Sequence, residues 1–352
     1  MSADDPSAGL EDAVRLLYEA YPYPAANQGT ATLPELAALL RMFFLENRAR
    51  PDGARLLDVG TGSGNRLLGA AEKIPSLSLV GLDFSASSIA MARRLTQQIG
   101  LDTRHPPVDF VEGDLLSEDT IRRLGDGWDF ITCMGVLHHI PRRAQALANL
   151  ARLLKADGYL FIYVYGTLGS ADRLLAKELI RMLRQDPHDR EDGLTVAKAL
   201  ALKVDGYGWL TDPDSRISAD ESTRDISLVD ALLHDYETTF TIRGLARELA
   251  DAGFEWCSVT GMTAADRAHL VDCDWRAGGS DTGGRQTHTT SATICSSPLL
   301  LERFRRLPTL ERLEVIEKLY KPNGYSVVVG RSQAAAARLG RRLAGTRIDF
   351  TG

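Results

Sequence analysis

Short apolar stretches alternate with amphipathic segments through the first half of the chain. Strand-length apolar stretches lie at 55–60, 78–83, 107–111, 128–134 and 158–165. Segments in which apolar residues recur every three or four positions, as on one face of a helix, follow the first four of them, at 64–73, 86–98, 117–124 and 141–154. Alternating strands and helices predict a parallel sheet with helices on both faces.

The N-terminal part of the chain favours helices. Residues 1–10 carry no apolar period and are expected to be disordered, whereas Leu10–Ala20 has the spacing of a short amphipathic helix. The prolines of Tyr21-Pro22-Tyr23-Pro24 prevent that helix from continuing and stiffen an extended segment. A capping-box start at Thr32 predicts a second helix that ends near Asn47.

The pattern changes after Gly166. Residues 167–238 form a polar-rich insertion with predicted helices at 172–185, 194–204 and 227–234. We expect this insertion to form a helical cap above the carboxyl edge of the sheet, where a substrate would enter. The alternative is an insertion that only extends the core.

The last third of the chain returns to the core. Predicted elements are a helix at 239–253, a strand at 254–259, helices at 299–304 and 310–319, a strand at 324–330 and an alanine-rich helix at 332–344. The strand at 324–330 is expected to be the antiparallel edge partner of the strand at 254–259. A polar, glycine-rich loop fills 261–300. The predicted division is an N-terminal lid segment (1–50), a core (51–166), the cap (167–238), the completion of the core (239–331) and a C-terminal tail (332–352).

Glycines at alternate positions mark the end of the first predicted strand. Gly60, Gly62 and Gly64 lie between an apolar stretch and a helix, where a backbone must turn tightly or approach a ligand. The N–H groups of the following helix would face an anionic group. Asp83 and Asp114 end the second and third strands, at the sheet edge where open α/β folds bind ligands. The alternative is an ordinary strand-to-helix turn without a ligand.

Taken together, these motifs resemble those of the class I S-adenosylmethionine (SAM)-dependent methyltransferases. The stretches LLDVGTGSG, EGDLL and GVLHHI, with the acid Asp83 at the end of the second strand, carry the resemblance. It covers residues 55–165, reappears at 240–254 and is weak at 324–331. It implies an α/β fold, a seven-stranded Rossmann-like sheet with helices on both faces, and SAM as cofactor with S-adenosylhomocysteine as product. The segment VDALLHDYETTF looks like that of a bacterial subgroup with a helical insertion between strands five and six.

The resemblance also implies which residues bind the cofactor. Asp58 would bind the ammonium group of the cofactor. Asp114 would accept a hydrogen bond from the adenine amine, and Leu115 would pack on the adenine ring. Asp83 suits the ribose, because a carboxylate can accept from both hydroxyls. The predicted cofactor-binding residues are Asp58, Gly60, Thr61, Gly62, Gly64, Asp83, Phe84, Asp114, Leu115, Met134 and Gly135. The alternative role for each acid is a helix N-cap.

No catalytic residue follows from the sequence. A base is needed only when the methyl acceptor loses a proton. The candidates for it are Tyr21, Tyr23, His139, Tyr163, Tyr165 and His234. The pair His138-His139 has local structure as its alternative role. No metal site is expected, because adjacent histidines rarely chelate one ion without a third ligand. The looser set Cys273, His288 and Cys295 lacks a zinc-site spacing.

The composition of the chain limits the classes of partner that it is expected to bind. The net charge of −6 gives no general attraction to nucleic acid or to an anionic membrane, and no apolar stretch is long enough for a membrane-spanning helix. The scattered cysteines and the absence of a signal-peptide pattern favour a cytoplasmic protein. We expect a small-molecule or protein methyl acceptor, and the oligomeric state stays open. A SAM-binding protein without catalysis is one alternative. An NAD-dependent oxidoreductase is another, although it needs the wider spacing Gly-x-Gly-x-x-Gly.

Overall fold

A computed structural model describes residues 6–23, 32–47, 52–186, 189–200, 221–263 and 297–350. The strands in these ranges are β1 (Arg55–Val59), β2 (Ser78–Asp83), β3 (Val108–Glu112), β4 (Trp128–Met134), β5 (Leu154–Tyr165), β6 (Trp256–Thr263), β7 (Gly324–Gly330) and β8 (Arg347–Asp349). The helices are α1 (Pro6–Ala20), α2 (Glu35–Asn47), α3 (Asn65–Lys73), α4 (Ala86–Gln98), α5 (Glu118–Leu124), α6 (Arg143–Leu153), α7 (Ala171–Leu183), α8 (Arg190–Leu200), α9 (Glu221–Leu232), α10 (Ile242–Asp251), α11 (Pro298–Arg306), α12 (Thr309–Tyr320), α13 (Gln333–Ala336) and α14 (Arg341–Gly345).

The strands form one mixed sheet in the order β3-β2-β1-β4-β5-β7-β6-β8. The pairs among β1 to β5 are parallel, as predicted, whereas β7 runs antiparallel to β5 and β6. The expected position of β7 at the edge is therefore wrong, because β7 lies between β5 and β6. The expected count of seven is also too low by one in the described part of the chain, where β8 adds to β6.

The C-terminal helix predicted at 332–344 is divided in the structure. Two short helices, α13 and α14, replace it, and β8 follows. The alanine-rich composition favoured a single helix, but Gly340 begins α14 with an extended backbone, at φ −62° and ψ 162°. β8 spans only three residues, which is too short for a two-residue period to be recognised.

The parallel register brings the carboxyl ends of the central strands to one edge. Val59 of β1 pairs with Leu82 of β2 and with Cys133 of β4, while Asp83 pairs with Glu112 of β3. The turns that follow these strands therefore lie next to one another. This edge is where ligands bind in open α/β sheets.

Apolar cores cover both faces of the sheet. Successive side chains of a strand point to opposite faces, so Leu56 and Leu57 enter different clusters. The cluster around Leu57 is completed by α5, α6, α10 and α12, and the cluster around Leu56 by α2, α3 and α4. The predicted arrangement of helices on both faces is confirmed.

The N-terminal helix buries apolar residues against the insertion. It begins at Pro6, so the expected disorder is wrong for residues 6–10, while residues 1–5 lie outside the described part. Leu17 of α1 is fully buried in a third apolar cluster together with Ile180 of α7, Leu194 of α8 and Val229 of α9. Helix α1 and the inserted helices therefore share one core.

Some predictions concern residues outside the described ranges. They are the end of the helix predicted at 194–204, the glycine-rich part of the 261–300 loop, and the set Cys273, His288 and Cys295. The predicted domain boundaries stay predictions. None of the helices in the described ranges is long and apolar enough to cross a membrane.

Helix α2 provides a test of how its face of the sheet is held. The Phe43 ring is fully buried, with its centroid 4.7 Å from that of Tyr159 and 5.3 Å from that of Phe161. Phe43→Ala should lower the free energy of unfolding by about 3–5 kcal/mol, because it removes apolar burial and leaves a cavity. Leu45→Ala, in the same helix but with 83% of Leu45 exposed, should change it by less than about 0.5 kcal/mol. Urea unfolding of both variants measures the difference, and equal losses would contradict it.

Candidate active site

A pocket of about 550 Å³ opens at the carboxyl edge of the sheet. Turns after four strands and one side of α1 line it, and the lining residues are Glu11, Val14, Arg15, Val59, Gly60, Leu82, Asp83, Phe84, Gly113, Asp114, Leu115, Leu116, Val136, His139, Ile140 and Pro141.

The glycine-rich turn after β1 forms the floor of this edge. Gly60, Gly62 and Gly64 have φ values of 68°, 55° and 77°, a region that favours glycine. At Gly60 a Cβ atom would also lie 2.2 Å from Cγ2 of Val136. The turn therefore needs glycine both for its backbone conformation and for its contact with the loop after β4.

Asp83 ties the glycine turn to the end of β2. Its Oδ2 accepts a hydrogen bond from Gly62 N at 2.8 Å, and its Oδ1 accepts one from Ser85 N at 3.0 Å. Burial raises the pKa of the Asp83 carboxyl to about 6, and these two backbone hydrogen bonds act against that rise. Each oxygen keeps a second lone pair, so the carboxylate can still accept hydroxyl protons from the pocket.

Asp58 lies in β1, directly before the turn. It is buried, and Thr132 donates to its Oδ1 at 2.6 Å. Its Oδ2 has no hydrogen-bond partner among the described residues. Burial raises the pKa of Asp58, while the nearby Arg66 guanidinium and the Thr132 hydroxyl lower it. A buried oxygen without a partner is unusual in folded proteins and suits a water molecule or a cationic group.

Asp114 and Leu115 follow β3. The Asp114 Oδ1 accepts from Leu116 N at 2.8 Å, which fixes the turn, and both residues border the pocket. Leu115 is buried and offers an apolar face. This wall therefore combines one carboxylate with an apolar surface.

Helix α1 is attached to the core through two glutamates, one near its middle and one near its C-terminal end. Arg142 donates to both oxygens of Glu11, at 2.7 and 2.5 Å. Glu19 accepts from Ala86 N at 2.6 Å and from Ser87 N at 3.3 Å, at the first turn of α4. The carboxylate thus satisfies N–H groups that a helix start leaves without partners.

Of the candidate bases, His139 borders the pocket. The His234 ring stacks on it, with centroids 3.7 Å apart, and Tyr165 stacks on His138 at 3.9 Å. Tyr21, Tyr23, Tyr163, Tyr165 and His234 are not among the residues that line this pocket. Burial lowers the pKa of His139 to about 4 and that of His234 well below its ordinary value, so both imidazoles are neutral near pH 7.

The structure brings together part of the predicted cofactor set. Gly60, Asp83, Phe84, Asp114 and Leu115 line the pocket. The other members of that set belong to the same strand ends and turns without lining it, namely Asp58, Thr61, Gly62, Gly64, Met134 and Gly135.

Sequence reasoning missed two parts of the lining. Ile140 and Pro141 belong to the wall after β4, and the position of Ile140 inside the motif GVLHHI was an available signal. Val14 of α1 had no such signal, because its apolar spacing shows only that one helix face is buried.

Residues 57–160 match the family model described as a methyltransferase domain. A Synechococcus sp. protein named "Uncharacterized protein syc1184_c" is 28% identical over 316 residues, which are 88% of this chain and 69% of that protein. The ubiquinone biosynthesis O-methyltransferase of Actinobacillus pleuropneumoniae is 28% identical over 168 residues, which are 46% of this chain and 68% of the relative.

Among solved structures, PKMT2 from Rickettsia typhi in complex with AdoHcy has a similar fold, with a TM-score of 0.58 and 16% identity. The alignment covers 89% of this chain and 55% of that one, so this chain spans little more than half the length of that protein. At this identity the similarity shows the fold alone.

Gly60 offers a test of the packing beneath the pocket. Gly60→Ala should destabilise the fold more than Gly100→Ala does, because Gly100 also has a positive φ, of 71°, but a Cβ atom there would meet open space. The control should cost about 1–2 kcal/mol for the backbone conformation alone. Thermal unfolding measures both. Adding Val136→Ala to Gly60→Ala should recover much of the excess loss, and a double variant no more stable than Gly60→Ala would show that this contact is unimportant.

Proposed function

Because residues 57–160 match a methyltransferase domain, we propose that this chain is a SAM-dependent methyltransferase, that the pocket at the carboxyl edge holds SAM and that the methyl acceptor lies under the helical cap. The acceptor is a small molecule or a protein side chain. The observation that carries this proposal is the convergence of the Gly60 turn, Asp83 and Asp114 on one pocket.

The parts of the pocket match the parts of SAM. Asp83 offers two anchored carboxylate oxygens to the ribose hydroxyls. Asp114, Leu115 and Phe84 offer an acceptor and apolar surface to the adenine. Gly60 has no side chain to fill the space in which the methionyl part would approach the backbone.

The remaining predicted residues support this arrangement from below. Asp58 has a buried oxygen without a partner among the described residues, which suits the cofactor ammonium group through a water molecule. Thr61, Gly62 and Gly64 shape the turn, while Met134 and Gly135 end β4 beside it. The SAM assignment thus agrees with an unsatisfied polar atom and with a backbone that excludes side chains.

SAM supplies the activated methyl group, so the protein mainly has to align two atoms and exclude water. The acceptor nucleophile attacks the methyl carbon while the carbon–sulfur bond breaks, and S-adenosylhomocysteine leaves. Helix α1 covers one side of the pocket through Val14 and its neighbours. Closing this side removes water from the reacting atoms.

An oxygen acceptor is the first class to test. The relatives over the core are named ubiquinone biosynthesis O-methyltransferases, and the Actinobacillus alignment covers less than half of this chain. Release of S-adenosylhomocysteine with a panel of phenols and alcohols tests this class, and turnover with amines alone would contradict it.

Asp83→Asn should weaken SAM binding at least about tenfold, which corresponds to about 1.4 kcal/mol, because an amide cannot accept from both ribose hydroxyls. Titration calorimetry with SAM measures this loss, and NAD serves as the comparison ligand. An unchanged affinity for SAM would contradict the ribose assignment, and binding of NAD but not SAM would contradict the proposed function.

The pH dependence of SAM binding provides an internal control for the predicted role of Asp83. Ribose hydroxyls donate to the ionised carboxylate, so the affinity for SAM should fall as the pH drops below about 6, where Asp83 gains a proton. The loss approaches about tenfold per pH unit if the protonated form does not bind. Asp83→Asn removes the titrating group and should flatten this part of the profile, and a profile of the same shape in both proteins would assign it to another group.

Glu19→Ala should speed the dissociation of SAM by about threefold to tenfold, because α1 loses its hydrogen bonds to the first turn of α4. Asp12→Ala is the matched control, since Asp12 lies in the same helix and, among the described residues, its ion-pair partner is Arg15 on the surface. Stopped-flow displacement of SAM measures both rates. Equal rates for the two variants would leave α1 with a packing role only.

A further inference from the structure

A cluster of metal-ligand type lies beside the proposed SAM pocket. One ring nitrogen each from His139 and His234 and one carboxylate oxygen from Asp230 lie within 4.8 Å of one another. His139 belongs to the short turn after β4, while Asp230 is in α9 and His234 follows the end of that helix.

A hydrogen bond fixes the tautomer of His139 and leaves its other ring nitrogen able to bind a metal ion. Its Nδ1 lies 3.2 Å from the carbonyl oxygen of Tyr236. A carbonyl can only accept, so Nδ1 carries the proton in the neutral ring and Nε2 keeps its lone pair. Metal-binding histidines commonly donate their second nitrogen to a backbone carbonyl in this way.

The other two members are held by Tyr18 of α1. The Tyr18 hydroxyl donates to Oδ1 of Asp230 at 2.9 Å and lies 3.2 Å from Nε2 of His234. The second nitrogen of His234, Nδ1, is buried and has no hydrogen-bond partner in the described part of the chain. His234 as a whole is 95% buried, so this lone pair is costly to leave without a partner.

The carboxylate of the cluster lacks a direct ion-pair partner. Arg173 and Lys177 both form ion pairs with Glu237. No ion pair joins Asp230 to a cationic side chain within the described ranges, although Arg173 and Lys177 act on it electrostatically. A cation at the cluster would give this half-buried carboxylate a direct countercharge.

We propose that His139, Asp230 and His234 bind one divalent transition-metal ion of the Zn²⁺, Co²⁺ and Ni²⁺ class. Two imidazoles and one carboxylate favour these ions over Mg²⁺ and Ca²⁺, which take oxygen ligands. The rings now stack at 3.7 Å with an angle of 12° between their planes, so an ion draws them out of parallel until both lone pairs point at one centre. This site does not depend on the SAM assignment.

The ion would connect three parts of the fold. His139 belongs to the core and borders the pocket, Asp230 and His234 belong to the inserted helices, and Tyr18 belongs to α1. Three protein ligands leave a coordination position for water or an acceptor hydroxyl, as in zinc sites that take part in catalysis.

The test uses the full-length protein after treatment with a chelator. Titration calorimetry with ZnCl₂, and visible absorption of the Co²⁺ form, should give one ion per chain. Asp230→Asn and His234→Gln should each weaken binding by about tenfold or more. Circular dichroism checks that both variants are folded, and Asp230→Asn retains the size of the side chain if the histidine variant is not.

Two control variants separate this site from other histidines and thiols. His105→Gln removes an exposed imidazole and should leave binding unchanged. The variant Cys273→Ser/His288→Gln/Cys295→Ser removes the other candidate zinc ligands and should also bind one ion. The proposal is overturned if the chelator-treated wild type binds no ion, if binding survives both Asp230→Asn and His234→Gln, or if the Cys/His variant loses it. SAM titrations on the same samples report the cofactor site separately.

Discussion

The hydrogen bond from Gly62 N to the Asp83 carboxylate is the contact on which the site depends. It joins the turn after β1 to the end of β2, and the same carboxylate also accepts from Ser85 N at the start of α4. Without this buried acceptor, two backbone N–H groups at the pocket floor would lose their partner, which costs about 1–3 kcal/mol for each group. Burial raises the pKa of Asp83 to about 6, so the protein maintains a partly uncompensated carboxylate where a ligand can use it.

The parallel half of the fold could be predicted from the sequence because its signals are local. The bounds of β2, β4 and α4 agree with the predicted ranges, since each has a clear apolar period and a defined end, such as the Ser85 cap of α4. The misplaced elements depend on distant partners. β7 enters the sheet between β5 and β6, and β8 exists only through its pairing with β6. The local hydrophobic pattern of neither segment indicates which strand it will pair with.

The residues of the candidate site also differ in whether a local sequence signal predicts their position. Asp83 and Asp114 could be predicted because parallel strands bring their carboxyl ends to one edge, so a residue at a strand end is also located in space. His139 was recognised as a candidate base, but its neighbours Asp230 and His234 come from an insertion whose position on the sheet has no periodic signal. The expectation that no third metal ligand exists was based on sequence proximity, and folding places two ligand-type side chains beside His139.

Helix α1 couples access to the pocket energetically to its own packing on the inserted helices. Its Leu17 is fully buried in the apolar cluster of α7, α8 and α9, whereas its Glu19 is bound to the first turn of α4. Lifting α1 from the pocket exposes Leu17, which costs about 1.5–3 kcal/mol, and also breaks the Tyr18 contact with Asp230. Because both costs arise at the inserted helices, a ligand that binds those helices more tightly when α1 is packed on them favours the closed position of α1 over the pocket.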